Sequence, residues 1–458
     1  MTQSSADLEA GVRLLRGAFL LDHSVSVTEL GSLFQREGDA PVQQLKRNVA
    51  NAYGVAWSFP ASCGTSPLNV LALLSVVSPG ATVLVNRDCH VSVHAAMIHG
   101  GLKPMYYRPR FDEALGIPLG PAATDVEPLL QRHLGIACVV LTHPNYFGIA
   151  GECGAIVETA HRHGVPAIVD AAHGAPLHFC TGLPAAAEDL GADIVLQSTH
   201  KTMGALSQGS VALFQRETYV ERFYDLASHL GFVSTSFSYP TLSSIELAVA
   251  RHQVDGEQAW SRALREADRF RDLVRAIDGV TTFGLEAAGR AGFTDLDRTR
   301  VTLDVSATGL TGYDFARRLE AEQVYPEMAT LRHVLLLFTP GTRREDTSYL
   351  AAAVERAAEQ GSGRALVLSW PAPPPMPAPG LAPRDAYFAP KRTVFTTEAC
   401  GALSAETIAP YPPGSAVVVA GEVLDADTLA YLRDVRLAGG ALHGASDPEL
   451  RRIRIVAA

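Results

Sequence analysis

The stretch that decides the fold runs from Val165 to Thr202, VPAIVDAAHGAPLHFCTGLPAAAEDLGADIVLQSTHKT. It holds two short apolar runs, VPAIVDAAH and ADIVLQSTH, each of strand length and each passing into polar residues at its end. Outward from it, VAWSFPA from Val55, ATVLVN from Ala81 and IACVVLTH from Ile136 repeat the pattern. Amphipathic stretches such as GECGAIVETAHRHG, closed by Gly or Pro, lie between the runs. Strand, helix, strand in this rhythm from Val55 to Phe214 predicts an α/β fold with a mostly parallel sheet covered on both faces. Ligands of such sheets sit outside the carboxyl ends of the strands, so chemistry is sought in the residues that follow each run.

Beyond this region, apolar residues recur at three- and four-residue spacing from Ser244 to Ile277 and predict a long helical segment. The text from Val301 to Gly341 reads as strand, helix, strand and strand, a smaller α+β unit closed by the helix TSYLAAAVERAAEQ. WPAPPPMPAPGLAP, from Trp370 to Pro383, carries seven prolines and reads as an extended linker. The expected division is an N-terminal segment 1–54, a large domain 55–255, a small α+β domain 256–368, and the linker with a short C-terminal domain 369–458.

A chain of 458 residues with 47% hydrophobic and 19% charged residues sustains a buried core, which sets disordered and fibrous classes aside. The net charge of −10, with no basic cluster, argues against nucleic acid as a partner. Val70–Val77 and Ile136–Leu141 are far shorter than the ~20 residues of a membrane span. The opening MTQSSADLEA has neither the basic start nor the apolar stretch of a secretory signal, so a cytoplasmic protein is expected. The six cysteines are irregularly spaced without a CxxC pair, and read as reduced, mostly buried thiols.

Four strand ends carry polar groups that core packing does not require. In SCGTSPLN, Ser62 to Asn69, Gly64, Thr65 and Ser66 stand at a helix start and offer N–H groups and hydroxyls to a phosphate, or serve as an ordinary N-cap. In NRDCHVSVHA, His90 can stack on a flat ring, while its i, i+4 spacing from His94 also suits a metal pair; with no third ligand in sight, no metal is expected. Asp170 in VPAIVDAAHGAP either caps a turn or aims its carboxylate at a protonated ring nitrogen, with His173 three residues on. Lys201, flanked by Ser198, His200 and Thr202, is either a solvated loop lysine or an amine nucleophile. An anion cradle, a stacking imidazole, a carboxylate for a pyridinium nitrogen and a Schiff-base lysine together are the parts that pyridoxal 5′-phosphate (PLP) requires.

At these residues the sequence resembles the fold-type I, PLP-dependent ornithine/lysine/arginine decarboxylases of bacteria, with specific motifs over about residues 40–250. The resemblance implies an aspartate aminotransferase-like large domain, a smaller α+β domain and a short C-terminal domain. STHKT implies Lys201 as the Schiff-base lysine, with Ser198 and His200 near the phosphate. DAAHG resembles the family's DEAHG, implying Asp170 on the pyridine nitrogen, Ala172 under the ring and His173 beside its substituents. SCGTSPLN resembles the NGTTSxN phosphate loop, which carries Gly64, Thr65 and Ser66 to the phosphate, and RDCHVS resembles RNCHKS, which makes His90 the ring-stacking residue. The stretch from Ser234 through TSFSYPTLSSIELA resembles a segment that reaches the neighbouring subunit's cofactor, so Ser234 and Ser236 are expected there, in a homodimer or an assembly of dimers. YPPGSAVVVAGE resembles YPPGIPLLVPGE and ends on Glu422.

The sequence departs from the family pattern at Val91, Ala171 and Pro176, where the family has Lys, Glu and a second His, and GAFLLDHSVS stands where PGHxxG is usual. The implied reaction is decarboxylation of a basic L-amino acid, arginine, lysine or ornithine, through an external aldimine and a quinonoid, giving amines of polyamine chemistry. Asp170, Lys201, His90 and His173 are the implied catalytic residues, and Glu327, Glu406 and Glu422 are candidates for the substrate's distal cation. Another Cα reaction of the same lineage, such as transamination or oxidative deamination, and a silent PLP-binding protein are the alternatives. Retention of Lys201, Asp170 and His200 together argues against silence.

Overall fold

A computed structural model describes residues 30–362, 374–411 and 414–457. The stretch GAFLLDHSVS, most of the proline-rich linker's start, and Pro412 and Pro413 of the YPPG string lie outside the described residues. The chain forms two compact units, each discontinuous in sequence. The first takes the residues up to Leu84, Val126–His143 and Cys153–Gln258, and the second takes Val85–Asp125, Pro144–Glu152 and Ala259–Ala458.

The first unit is built on strands β1 (Trp57–Ala61), β2 (Thr82–Asn86, within which the division falls), β3 (Ile136–Thr142), β4 (Ala167–Asp170), β5 (Ile194–Gln197) and β6 (Ser210–Phe214). Their order in the sheet is β1-β6-β5-β4-β3-β2. β3, β4 and β5 are parallel, while β6 runs antiparallel to both β5 and β1, so β1 shares the direction of β5. Register levels Thr142 with Asp170 and Asp170 with Leu196, and Gln197 with Val211. The carboxyl ends of β1, β3, β4 and β5 therefore open on one edge. All residues of β4, β5 and β6 are buried, which is why these strands read as continuous apolar runs without alternation.

The long helix predicted from Ser244 begins at Tyr239 and ends at Val274. Its first turn holds Pro240, a residue that tolerates that place because the N–H it lacks would have no helical partner there. On the same unit Lys46 lies on helix Pro41–Ala52 and is only 2% exposed. Its Nζ donates to the Leu33 and Gln35 carbonyls, both at 2.6 Å, and sits 4.7 Å from the centre of the Tyr224 ring. Burial pulls its pKa down to about 7.

The second unit contains a four-stranded antiparallel sheet in the order Thr281–Thr282, Arg300–Asp304, His333–Leu337, Met328–Ala329. With helices Gly312–Ala321 and Arg344–Glu359 it encloses Phe270, Phe315, Val334, Phe338 and Val354, and this is the α+β assembly expected from the sequence. Further on, strand Lys391–Phe395 pairs with Arg452–Val456, and helix Ala426–Leu437 contributes Leu432 to a core with Ile408, Val418 and Ile453.

Within the same unit the buried Arg87 forms a fork with Glu422, Nη1 to Oε1 at 2.6 Å and Nη2 to Oε2 at 2.7 Å. Its remaining donors reach the carbonyls of Ala416 and Val417, both at 3.0 Å, and Glu422 accepts the Val419 N–H at 2.7 Å. Burial opposes the Arg87 charge, but the hydrogen bond and charge of Glu422 outweigh it and raise the pKa. Among the described residues no helix is long and apolar enough to cross a membrane.

Candidate active site

At the strand edge of the first unit, β1 ends at Ala61 and the chain turns through Ser62–Gly64 into helix Thr65–Val76. Gly64 has φ +76° and ψ 171°, a conformation open in practice only to glycine, and its N–H donates to the Gln208 carbonyl at 2.9 Å. As N-cap it brings no side chain, so the helix start is without a side-chain cap. Thr65 and Asn69 lie four residues apart and share a helix face. The Thr65 hydroxyl is 2.6 Å from that of Ser198, just past β5, and Asn69 Nδ2 donates at 2.9 Å to Oδ2 of Asp170, at the end of β4. One face of one helix thus fixes the ends of two neighbouring strands.

Asp170 is 4% exposed, and its other oxygen, Oδ1, accepts the Ala172 N–H at 3.0 Å. Lys201 follows Ser198 in the short helix Thr199–Thr202, and its Nζ lies 3.2 Å from Nε2 of His173. In the single chain Lys201 is exposed rather than enclosed. His200 is directed the other way, its Nδ1 2.7 Å from the Gly209 carbonyl. Ser234 and Ser236 are exposed, and the Ser234 hydroxyl accepts the Ser236 N–H at 3.0 Å. The neighbouring Phe237 packs edge-on against Phe34 at 5.5 Å, and the Ser238 N–H reaches the Ser62 hydroxyl at 3.3 Å.

The first unit therefore gathers Gly64, Thr65, Ser66, Asp170, Ala172, His173, Ser198, His200 and Lys201 on successive strand ends of one sheet edge. Asn69 and Gln208, both part of this arrangement, were not among the residues singled out from the sequence. Asn69 carried a usable signal, its four-residue spacing from Thr65. Gln208 carried none, since its φ of +70° is imposed by the turn before β6.

A family model described as Orn/Lys/Arg decarboxylase, major domain, matches residues 16–289. The chain belongs to the Orn/Lys/Arg decarboxylase family. It is an enzyme, a decarboxylase of that family. The arginine decarboxylase of Bacillus subtilis (strain 168) is 32% identical over 420 residues, 91% of this chain and 85% of that protein. Among solved structures, the constitutive lysine decarboxylase of E. coli matches with a TM-score of 0.77 and 22% identity, over 99% of this chain and 78% of that one. A serine palmitoyltransferase from S. paucimobilis with bound PLP matches with a TM-score of 0.58 and 15% identity, over 78% of this chain and 84% of that one. The fold is the fold-type I α/β architecture.

Other residues singled out from the sequence of this decarboxylase lie in the second unit. His90 belongs to the second unit, where it is the N-cap of helix Val91–Gly100, its Nδ1 accepting the Ser92 N–H at 3.2 Å. His94 is not turned out beside it. It is buried with Nδ1 2.9 Å from the Tyr106 hydroxyl, and burial drives its pKa down to about 3. Glu422 is engaged with Arg87, and Glu406 accepts the backbone N–H groups of Ser446 and Arg454 at 3.0 and 3.2 Å. Both accept hydrogen bonds within their own unit. Glu327 is half-buried and accepts the Tyr146 hydroxyl at 2.9 Å.

Proposed function

We propose that this decarboxylase acts on a basic L-amino acid, arginine, lysine or ornithine, with PLP held at the sheet edge of the first unit. The observation that carries the reading is the arrangement at two adjacent parallel strands, with the buried carboxylate of Asp170 closing β4 and Lys201 four residues past the end of β5. The donor set fits the cofactor. Thr65 and Ser66 open a 12-residue helix with no side-chain cap, which suits a phosphate. A side-chain carbon placed on Gly64 would meet nothing within 4 Å, so the space before that turn is open. Each oxygen of Asp170 accepts one N–H and keeps a lone pair for a ring N–H.

When bound, PLP supplies an electron sink for the bond broken at the substrate's α-carbon. Asp170, oriented by Asn69 and the Ala172 N–H, holds a proton on the ring nitrogen through a charge-assisted hydrogen bond. Lys201 Nζ is the amine that would tether the cofactor, and His173 Nε2, 3.2 Å away, is placed to share a proton with it. After the carboxylate has left as carbon dioxide, that pair returns a proton to the α-carbon. Ser198 and His200 belong to the phosphate end, and His90 takes the stacking role by resemblance. The basic substrate is supported by the B. subtilis relative named as an arginine decarboxylase.

The working unit is proposed to be a homodimer or an assembly of dimers, supported by the exposure of Ser234 and Ser236 on the segment that resembles a subunit-crossing stretch. A cytoplasmic setting is supported by the six cysteines, all of them free thiols. The chain-order segments 1–54, 55–255, 256–368 and 369–458 are retained as the proposed domain division. The test of function is release of labelled carbon dioxide from carboxyl-labelled arginine, lysine and ornithine, with keto acid assayed in parallel. Labelled carbon dioxide with the matching amine is expected; keto acid without labelled carbon dioxide would overturn the reading.

A further inference from the structure

Glu188 lies on the turn before β5 and is 2% exposed, and Gln197, the last residue of β5, is fully buried. Gln197 Nε2 donates to Glu188 Oε1 at 3.0 Å. Gln215, one residue past β6, donates from its Nε2 to the Glu188 carbonyl, so the residue is held from two neighbouring strands. Ladder partners share a sheet face, and Asp170 pairs with Leu196, so Gln197 lies on the face opposite Asp170. Glu188 is therefore outside the proposed cofactor site, yet bonded to the strand end from which Ser198 and Lys201 follow.

Two oxygens of this pair are left over. Glu188 Oε2 and Gln197 Oε1 are both buried, and neither has a hydrogen-bond partner among the described residues. A carboxylate and an amide oxygen only accept, so an ionised Glu188 would be a buried charge met by neutral N–H groups, beside an amide oxygen with no donor. A proton on Oε2 supplies that donor. Carboxyl and amide then exchange two hydrogen bonds, Gln197 Nε2–H to Glu188 Oε1 and Glu188 Oε2–H to Gln197 Oε1, and both leftover oxygens are satisfied.

The surroundings of Glu188 agree with a neutral acid. Burial, the largest effect, lifts its pKa to about 7; the charge of Asp189 adds to the rise, while its own backbone N–H, the charge of His178 and the Gln197 bond oppose it. His178 and Asp189 are themselves paired, Nδ1 to Oδ1 at 2.9 Å. Tyr53, at the end of helix Pro41–Ala52, and Cys153, in helix Cys153–Arg162, bring no charge near neutral pH, since burial raises both, that of Cys153 to about 12.

We propose that Glu188 is a positioning residue for the reaction, held as the neutral acid in a reciprocal pair with the Gln197 amide, and that its ionisation loosens the strand end that sets Lys201. The role rests on Lys201 as the proposed cofactor-bearing amine. With the proton gone, Glu188 Oε2 and Gln197 Oε1 are acceptors without a donor, and the pair relaxes by turning the amide or moving the carboxylate toward water. Either movement passes through Gln197 to Ser198, whose carbonyl receives the Lys201 N–H at 3.2 Å.

The test compares the full-length holoenzyme with Glu188→Gln, whose amide repeats the two-bond pattern and cannot ionise. Infrared spectra at low pH should contain the carbonyl stretch of a buried protonated carboxyl that is missing from Glu188→Gln and that fades in the wild type as pH rises through about 7. The ratio of Glu188→Gln turnover to wild-type turnover should rise by about threefold or more between about pH 6 and about pH 8.5, a comparison in which titrations common to both proteins cancel. Glu188→Leu, which removes both bonds, should fall about tenfold below Glu188→Gln at the lower pH. A wild type without the protonated-carboxyl band overturns the proposal. A ratio that does not change with pH, or a Leu variant equal to the Gln variant, overturns the positioning role. The fading of the band in the wild type needs no variant, so it decides the matter even if a substitution unfolds the chain. Because that band is read without substrate, failure here is distinguishable from failure of the decarboxylase substrate reading.

Discussion

Lys201 lies exposed on the single chain, 3.2 Å from His173, while the carboxylate at the end of the neighbouring strand is buried and held by two donors. The proposed roles of these residues give separable outcomes. The purified enzyme should be yellow from the imine-linked cofactor, Lys201→Ala should lose that visible absorption, and borohydride reduction with peptide mapping should place the pyridoxyl group on Lys201. A label on another lysine would remove the assignment. Asp170→Asn should keep some cofactor and lose turnover by roughly a hundredfold or more, because an amide cannot hold the ring nitrogen protonated. Asn69→Ala should act through Asp170, lowering turnover by about tenfold while leaving the absorption band in place.

Lys46 gives a prediction in pH. Its folded pKa, about 7, lies below the ordinary lysine value of 10.5, so between these values the unfolded chain binds more protons than the folded one. Its contribution to stability is complete above the unfolded value and is lost as pH falls through the folded value. Unfolding by urea should therefore show stability rising between about pH 7 and 10, by at most about 1.4 kcal/mol per pH unit, and Lys46→Met should flatten that slope. Asp170 and Lys201 were legible in the sequence because each follows an apolar run with a group that packing alone does not call for. Lys46 was not legible, because the Tyr224 ring comes from a distant stretch and the two carbonyls from a preceding loop whose course no periodicity reveals.

Among the elements, the turn from β1 into helix Thr65–Val76 depends on one residue. Gly64→Ala should cost about 1–3 kcal/mol, since φ +76° with ψ 171° is a region closed to side-chain-bearing residues, although no neighbouring atom obstructs the new carbon. A lower melting temperature with weaker cofactor retention is expected, and an unchanged melting temperature would show that the turn adapts without strain. All five apolar runs picked out in the large domain became strands, because strands buried on both faces leave an uninterrupted signal. The antiparallel direction of β6 was not visible, since SVALF reads the same in either direction and only the pairing with β1 and β5 sets it. The place of His94 was not visible for a related reason. Helical spacing places His90 and His94 in successive turns, but the Tyr106 hydroxyl that draws His94 into the core comes from another strand.

For the molecule as a whole, the fork between Arg87 and Glu422 ties a residue near the start of the second unit to its C-terminal part. Glu422→Gln should destabilise that unit by about 3–5 kcal/mol, because the buried guanidinium is left without its counter-charge. Replacing both partners, Arg87→Met with Glu422→Leu, should recover much of the loss, and calorimetry on the two variants checks both outcomes. At the level of assembly, sedimentation of the active enzyme should give a dimer or a multiple of it. A fully active monomer would remove the role proposed for Ser234 and Ser236.

The same fork sets a constraint on how the chain is made. Arg87 and Glu422 are separated by 335 positions. At ~5–20 residues per second of synthesis, the guanidinium leaves the ribosome on the order of 20–70 s before its carboxylate exists. During that interval the cation must stay hydrated or be shielded by another molecule, and the apolar residues due to cover it must stay apart. A nascent chain that stalls before Glu422 is therefore left with a charge it cannot bury, a mark by which chaperones and proteases can tell an interrupted product from a finished one.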